Sequence, residues 1–467
     1  MSVEVAALIR QGAAPTPCAG RFVLEAEAWQ AMIAGLRATD LPLLGLWSDG
    51  VQVHALFHHD PIPLVASVAV SPDGYPALSP VRVGAQGPER IIHDLWGIPA
   101  IGGRCEPWLD QGRWPVATPL AAHRAPTPGL PEGREFIDDA AVRQAGGTGL
   151  GYGPAEGNFR APFHLRLGLP GARIEAVQPC MGYAHRGLAA RLRGLAPQQA
   201  ARLVARIDAP ATVAHQLAFA RALHNATGTA MPAQDVAAGV MLGAMERIAT
   251  HLDVLAQAGA MLGDGRSATL AASMLEQMRQ MCRNVCGRRL LFDVIPPAAT
   301  FPVRVDGAQL ATLAAEHASL HRLFWRPRGL AAQARGKGVL SATMAARLGI
   351  MGGNARAARK GQGDVTDRLE VRLGEIGASL ALLAAPPEST VMEAEGGGEE
   401  GLGWAEGPAG LLWHWLRLEA GHVAAWWCGD PSLALAQALP AILSGAAYED
   451  VDLIVVSLGM SATGADL

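Results

Sequence analysis

The sequence predicts an α+β N-terminal domain followed by a mainly α-helical domain with a long helix bundle and small strand elements. Three observations carry this. Short apolar runs, Leu43–Trp47, Val51–Phe57 and Leu64–Val70, lie within residues 1–122, and Ser48-Asp49-Gly50 between the first two is a hairpin signal. Residues 123–157 are dense in Pro and Gly and read as a linker. Within 158–467, apolar residues recur at helical spacing, as in the stripe Val236, Val240, Met241, Met245, Ile248, Leu252 and Leu255.

In the first domain, Phe22–Arg37 reads as a helix, and Glu89–Trp96 as a second that stops at Gly97. Pro126, Pro128, Pro131 and the cluster Gly146–Gly153 make the linker an extended crossover. Two strands follow, Phe163–Leu169 and Arg173–Gln178, joined by Pro170-Gly171. The helices Met181–Gly194, Pro197–Thr227, Ala233–Leu262 and Arg266–Leu291 are long enough to pack as a bundle. Asp306–Phe324, Leu340–Ile350 and Asp364–Ala385 add three more. Arg356–Gly363 reads as an exposed basic loop and Glu393–Gly407 as an acidic surface loop. Leu411–Asp430 alternates like a strand, and Leu453–Ser457 precedes a glycine-containing tail.

Half of the 467 residues are hydrophobic and 17% are charged, which suits a packed globular protein. The net charge of -4 provides no basic excess to neutralise phosphates, so no nucleic-acid partner is expected. Six cysteines are scattered without any CxxC, which excludes a zinc ribbon or ferredoxin-type cluster and fits a reducing cytosol. Cys282 and Cys286 sit at i,i+4 spacing and read as small apolar helix residues. His58-His59-Asp60 reads as a solvated loop, because neighbours on a strand face opposite ways. Gly146–Gly151 lacks the lysine of a phosphate loop, and no dinucleotide fingerprint is present. Neither the N-terminus nor any apolar window fits a signal peptide or a membrane span.

Four stretches in order carry a family resemblance. They are Pro179-Cys180-Met181-Gly182-Tyr183-Ala184-His185-Arg186-Gly187; Arg206-Ile207-Asp208-Ala209-Pro210-Ala211 leading to His215; Met245-Glu246-Arg247-Ile248-Ala249-Thr250-His251; and a C-terminal series. The last runs through Glu406-Gly407-Pro408-Ala409-Gly410, Gly429-Asp430-Pro431-Ser432 and Asp450–Ile454 to Gly459–Gly464. Together they resemble the superfamily of nickel–iron hydrogenase large subunits and the complex I quinone-site subunit. Pro88–Ile98 resembles the small accessory subunit of complex I, whose fusion to the large subunit is typical of the hydrogenase-4 and formate-hydrogenlyase type.

The resemblance implies the function and also a loss. Four cysteines hold the metals in hydrogenases, and at those places stand Asp208, Ala211, Ser461 and Gly464. A nickel–iron centre needs soft thiolates, so no metal site and no hydrogen turnover are expected. The sequence stops at Leu467 without the extension that maturation cleaves in metal-bearing members. Complex I binds quinone in the vacated cavity. Its quinone tyrosine is matched here by Ala209 and its quinone histidine by Glu156, with His164 a few residues on.

The residues expected to be catalytic are Asp208, His215 and Arg206: a buried carboxylate beside an arginine relays protons, and His215 shares a helix face with Ala211. Asp208 would otherwise pair with Arg206 or cap a helix, and His215 would be a satisfied core histidine. His185, Arg186, His164, Glu246 and His251 are the expected cofactor-binding set; His251 has Asp253 or a neighbouring helix as its structural partner. The resemblance implies a subunit of a membrane-associated NADH:quinone oxidoreductase or hydrogenase-related complex. It would take electrons from an iron–sulfur cluster in a partner small subunit and perform proton or quinone chemistry. It would lie on the cytoplasmic face of the bacterial inner membrane above antiporter-like integral subunits. The alternative is an inert scaffold or regulatory subunit of such a complex.

Overall fold

The computed structural model describes residues 2–11, 13–59, 63–110, 112, 114–122, 125–126, 148–155, 162–295 and 303–467. Most of the expected linker, Glu156 and Asp60 lie outside these residues.

The N-terminal part opens with α1 (Ser2–Gln11), β1 (Ala13–Pro15), β2 (Arg21–Leu24) and α2 (Ala26–Leu36), followed by β3 (Leu43–Ser48), β4 (Gln52–Phe57) and β5 (Leu64–Ala69). The five strands form one sheet in the order β1-β2-β5-β4-β3. The expected hairpin is present: Asp49 Oδ1 accepts from the amides of Val51 (2.9 Å) and Gln52 (2.8 Å), and Gly50 takes φ 93°. The start of the helix expected over 22–37 is strand instead, because β2 pairs in parallel with β5. Two short pairs, β6 (Tyr75–Pro76) with β7 (Ala100–Ile101) and β8 (Val116–Ala117) with β9 (Ala125–Pro126), flank α3 (Gln86–Trp96).

A second sheet contains β10 (Thr148–Tyr152), β11 (His164–Leu169) and β12 (Ala176–Cys180), all antiparallel. The glycines Gly149 and Gly151, read as linker, are therefore strand residues paired with Gly168 and Arg166. After α4 (Leu188–Leu192), the single helix expected over 197–227 is two: α5 (Pro197–Val204) and α6 (Thr212–Thr227). The break at 205–211 contains Asp208, in extended conformation, and Pro210, whose ring and missing N–H bar an uninterrupted helix. The bundle continues with α7 (Ala233–Met261), α8 (Gly265–Cys286), α9 (Gly307–Trp325), α10 (Leu330–Ala334), α11 (Ala342–Arg347), α12 (Gly353–Lys360) and α13 (Val365–Ala384). Helix α12 replaces the basic loop expected over 356–363: Ala355, Ala357 and Ala358 are buried while Arg356 pairs outward with Glu375 and Glu406.

The third sheet is a meander of β13 (Glu400–Glu406), β14 (Leu411–Glu419) and β15 (His422–Gly429), so half of the expected acidic loop is a strand. Three helices close the chain: α14 (Pro431–Leu443), α15 (Val451–Leu458) and α16 (Ala462–Asp466). Helix α6 lies directly on β13. A Cβ on Gly401 would come within 2.1 Å of the Ala222 carbonyl oxygen, and one on Gly403 within 2.3 Å of that of Ala218. Only glycine permits this backbone approach, and it brings the first turn of α6 over β14.

The N-terminal sheet docks on the same meander. Arg21 Nη1 donates to Glu400 Oε2 at 2.5 Å, Trp415 Nε1 donates to Glu400 Oε1 at 2.7 Å, and Trp47 packs at a tilt of 42° with its ring centroid 4.7 Å from that of Trp413. Two hydrophobic clusters underlie this arrangement, one from Val5 to Ala100 and a larger one that joins the bundle, the third sheet and the underside of β3.

Candidate functional site

The α5–α6 break and the C-terminal tail meet. Thr463 Oγ1 donates to Asp208 Oδ1 at 3.0 Å, and Ser461 Oγ donates to Thr463 Oγ1 at 2.7 Å. The Ser461 amide donates to Ser432 Oγ at 3.0 Å. Gly464 lies against Asp430: a Cβ there would sit 2.6 Å from the carboxyl carbon. Asp208, Ala211, Thr250, Asp430 and Ser432 line a crevice of about 10 Å3, about enough for one water. This set comprises one carboxylate, a methyl, a hydroxyl engaged with Thr463 and a glycine packed on Asp430; none of the four is a soft sulfur donor.

The open space lies on the other side of Asp208. A cleft of about 630 Å3 is lined by Asp208, Thr463, Arg186, Arg206, Glu246 and Thr250, among others. Arg186 holds its rim: its guanidinium donates to the carbonyls of Arg206 and Ile207, both at 2.7 Å, and of Thr463 at 3.2 Å. Arg206 itself does not pair with Asp208. Its fork binds Asp293 at 2.6 and 2.7 Å, with Arg206 about half exposed and Asp293 partly so. Asp208 makes no side-chain cap either.

Glu246, on α7, spans the start of α6, accepting from the amides of Val213 (2.5 Å) and Ala214 (3.2 Å). A carboxylate at a helix N-terminus satisfies unpaired donors. Burial nevertheless pushes its pKa up to about 8, against the pull of those amides. His251 Nε2 meets Glu375 Oε2 at 2.6 Å on α13, and its Nδ1 accepts from Arg372 at 3.0 Å. The partner is thus the neighbouring helix and not Asp253. Burial lowers the His251 pKa to about 4, so the ring is neutral.

His185 Nδ1 donates to the Asp466 carbonyl at 2.6 Å, and its ring stacks on Trp114 at 4.9 Å; burial lowers its pKa. The Asp466 carboxylate accepts from Gly182 and Ala184 amides, both at 2.9 Å, tying the Gly182–Arg186 turn to the C-terminus. His164 is buried in β11 opposite Cys180 and lines neither crevice nor cleft. Cys282 lines the cleft as a thiol that burial pushes up to about 12.

His215 is fully buried between two side chains that no sequence signal singled out as its partners: Nδ1 lies 3.0 Å from His414 Nε2, and Nε2 lies 3.2 Å from Asp430 Oδ2. Trp426 Nε1 donates to His414 Nδ1 at 3.1 Å. Asp430 was legible as the residue before a helix-initiating proline, and it does cap α14, accepting from Ser432 at 2.7 Å. His414 had no local signal; the register of β14 puts it there. Donor atoms of His215, His414 and Cys428 lie within 4.8 Å of one another, the one such grouping of possible metal ligands among the described residues.

No family model matches the chain. Its homologues are subunits of NADH-quinone oxidoreductases and the alpha chain of a membrane-bound hydrogenase, so the chain is similar to the superfamily of complex I and hydrogenase large subunits. An NADH-quinone oxidoreductase subunit of Salinispora arenicola is 25% identical over 379 residues, covering 68% of this chain and 97% of the relative. The corresponding subunit of Chloroflexus aurantiacus is 24% identical over 300 residues, covering 56% of this chain and 70% of the relative. The alpha chain of the membrane-bound hydrogenase of Pyrococcus furiosus is 24% identical over 327 residues, 58% of this chain and 75% of the relative. Among solved structures, a chain of the archaeal membrane-bound sulfane sulfur reductase superposes with TM-score 0.58 at 18% identity. The match covers 68% of this chain and 98% of that one, and it reports the shared fold.

Proposed function

We propose that this chain is a peripheral subunit of a membrane-bound redox complex of the NADH-quinone oxidoreductase and hydrogenase type, and that it works without a nickel–iron centre. The observation that carries this is the meeting of the α5–α6 break with the C-terminal tail. The positions matched to the metal-holding ones of hydrogenases lie close together: Asp208 and Ala211 line a crevice of about 10 Å3, Ser461 joins Asp208 through Thr463, and Gly464 lies against Asp430. Neither a bimetallic centre nor a quinone ring fits that volume.

The reactive surface in this reading is the cleft beside Asp208, with Thr463 and Arg186 among its polar lining. Electrons arrive from an iron–sulfur cluster in a partner small subunit, and a proton or a quinone is handled in the cleft. Asp208, held by Thr463, is the acceptor best placed for a proton there. Residues 1–122 act as the accessory domain and 158–467 as the part equivalent to the large subunit, joined by the linker. None of the helices among the described residues is long and apolar enough to cross a membrane. Docking to antiporter-like membrane subunits, on the cytoplasmic face of the bacterial inner membrane, would supply the attachment.

Affinity purification of the tagged chain from its native membranes tests this. The expected result is co-purification of an iron–sulfur small subunit and integral membrane subunits. Purification without either overturns the reading. Asp208→Ala in that assembly separates a working cleft from a scaffold: turnover should fall at least tenfold, and unchanged turnover would leave the scaffold role.

A further inference from the structure

Three buried groups outside the cleft converge on Asp430, and their hydrogen bonds have a direction. An indole nitrogen can only donate. Trp426 Nε1 points at His414 Nδ1 at 3.1 Å, so that nitrogen must carry the lone pair. Burial beside His215 keeps the pKa of His414 well below its ordinary value, so the ring is neutral and its proton sits on Nε2. That N–H faces His215 Nδ1 at 3.0 Å, which must accept. The remaining proton of His215 is then on Nε2, and it donates to Asp430 Oδ2 at 3.2 Å. All four residues are buried, with His215 and His414 at 0% exposure, so no water competes for these bonds.

We propose that Trp426, His414 and His215 form a one-way hydrogen-bond line that holds Asp430 as an oriented acceptor on the wall of the crevice it shares with Asp208. His215 is then a positioning residue and not a proton carrier. Each ring nitrogen in the line is already committed. A further proton on either ring would set two donors against each other, at Trp426–His414 or at His414–His215. The carboxylate of Asp430 retains free lone pairs, and it borders the same crevice as Asp208, Thr250 and Ser432. One water in that crevice would find acceptors on both carboxylates.

The same direction argues against the metal site that the spacing of His215, His414 and Cys428 would otherwise allow. An ion on His414 Nε2 requires the proton to move to Nδ1, where it would collide with the Trp426 N–H. An ion on either nitrogen of His215 would break one of its two bonds in the line. Without an ion Cys428 is a neutral thiol, because burial raises its pKa well above the ordinary value, with Asp430 adding to the shift.

All members of the line belong to this chain, so it stands whether or not the proposed complex is found. Nuclear magnetic resonance of the full chain, labelled at the histidine ring nitrogens, tests it near neutral pH. His215→Gln and His414→Gln assign the two rings. Both should be neutral, with the proton on Nε2, and zinc added at one equivalent should leave them unchanged. Trp426→Phe should release the lock, so that each ring shows two tautomers where the native chain shows one. A proton on Nδ1 of His414, a cationic ring, or zinc-induced shifts of both rings in the native chain would each overturn the proposal. These native-chain readouts decide the matter even where Trp426→Phe does not fold.

Discussion

Glu400→Ala should destabilise the chain by about 3–5 kcal/mol, the range for breaking a buried ion pair from one side. Arg21 and Glu400 have side-chain exposures of 8% and 7%, and their closest approach is 2.5 Å. The carboxylate also takes the Trp415 indole proton at 2.7 Å. Its removal leaves a guanidinium among neutral partners, Ser67 at 3.0 Å and Gln52, inside the seam between the N-terminal sheet and the meander of β13–β15. A typical domain has only about 5–15 kcal/mol in total, so urea unfolding of the purified chain should show a large fall in midpoint. Removing both charges, as Arg21→Met with Glu400→Leu, should recover most of the loss, because the desolvation cost of both ions disappears together. A single-variant loss below about 1 kcal/mol, the range of an exposed pair, would refute the view that this pair is the buried clamp of the seam.

Gly403→Ala should cost about 1–3 kcal/mol by overpacking, because the added methyl meets the Ala218 carbonyl oxygen at 2.3 Å; the unfolding midpoint reads it. Arg206→Ala should change stability by less than about 1 kcal/mol, since its pair with Asp293 is exposed. Glu246 gives a pH signature. Its folded pKa, raised to about 8 from 4.5, means the folded state holds a proton that the unfolded chain releases in between. Stability from this group is therefore full below the unfolded value and lost as pH rises towards 8. Melting temperature followed over that window should fall more steeply in the native chain than in Glu246→Gln, and parallel curves would contradict the assignment.

What the sequence disclosed depended on how local the signal was. The hairpin at Ser48-Asp49-Gly50, the helix stop at Gly97 and the long stripe of α7 are set by neighbouring residues, and all are present. The meeting of Asp208 with the C-terminal tail was legible only through the ordered motifs, since 255 positions separate Asp208 from Thr463. Composition misled where glycine and charge serve packing. Gly401 and Gly403 look like loop residues but admit α6 onto β13, and Arg356 belongs to a helix whose alanines are buried. Arg206 is adjacent in sequence to the Asp208 segment, yet it turns outward to Asp293. The His414 partner of His215, and the Trp426 indole that bonds His414, were beyond reach of spacing, because both arrive through strand register and no periodicity in α6 encodes them.

The softness and number of donors around Asp208 decide whether this chain can hold nickel and iron. Metal analysis of the complex purified through this chain tests that directly. Nickel should be absent at the level of one atom per chain, with any iron accounted for by clusters in partner subunits. One nickel per chain, retained through gel filtration and lost on unfolding this protein, would contradict it.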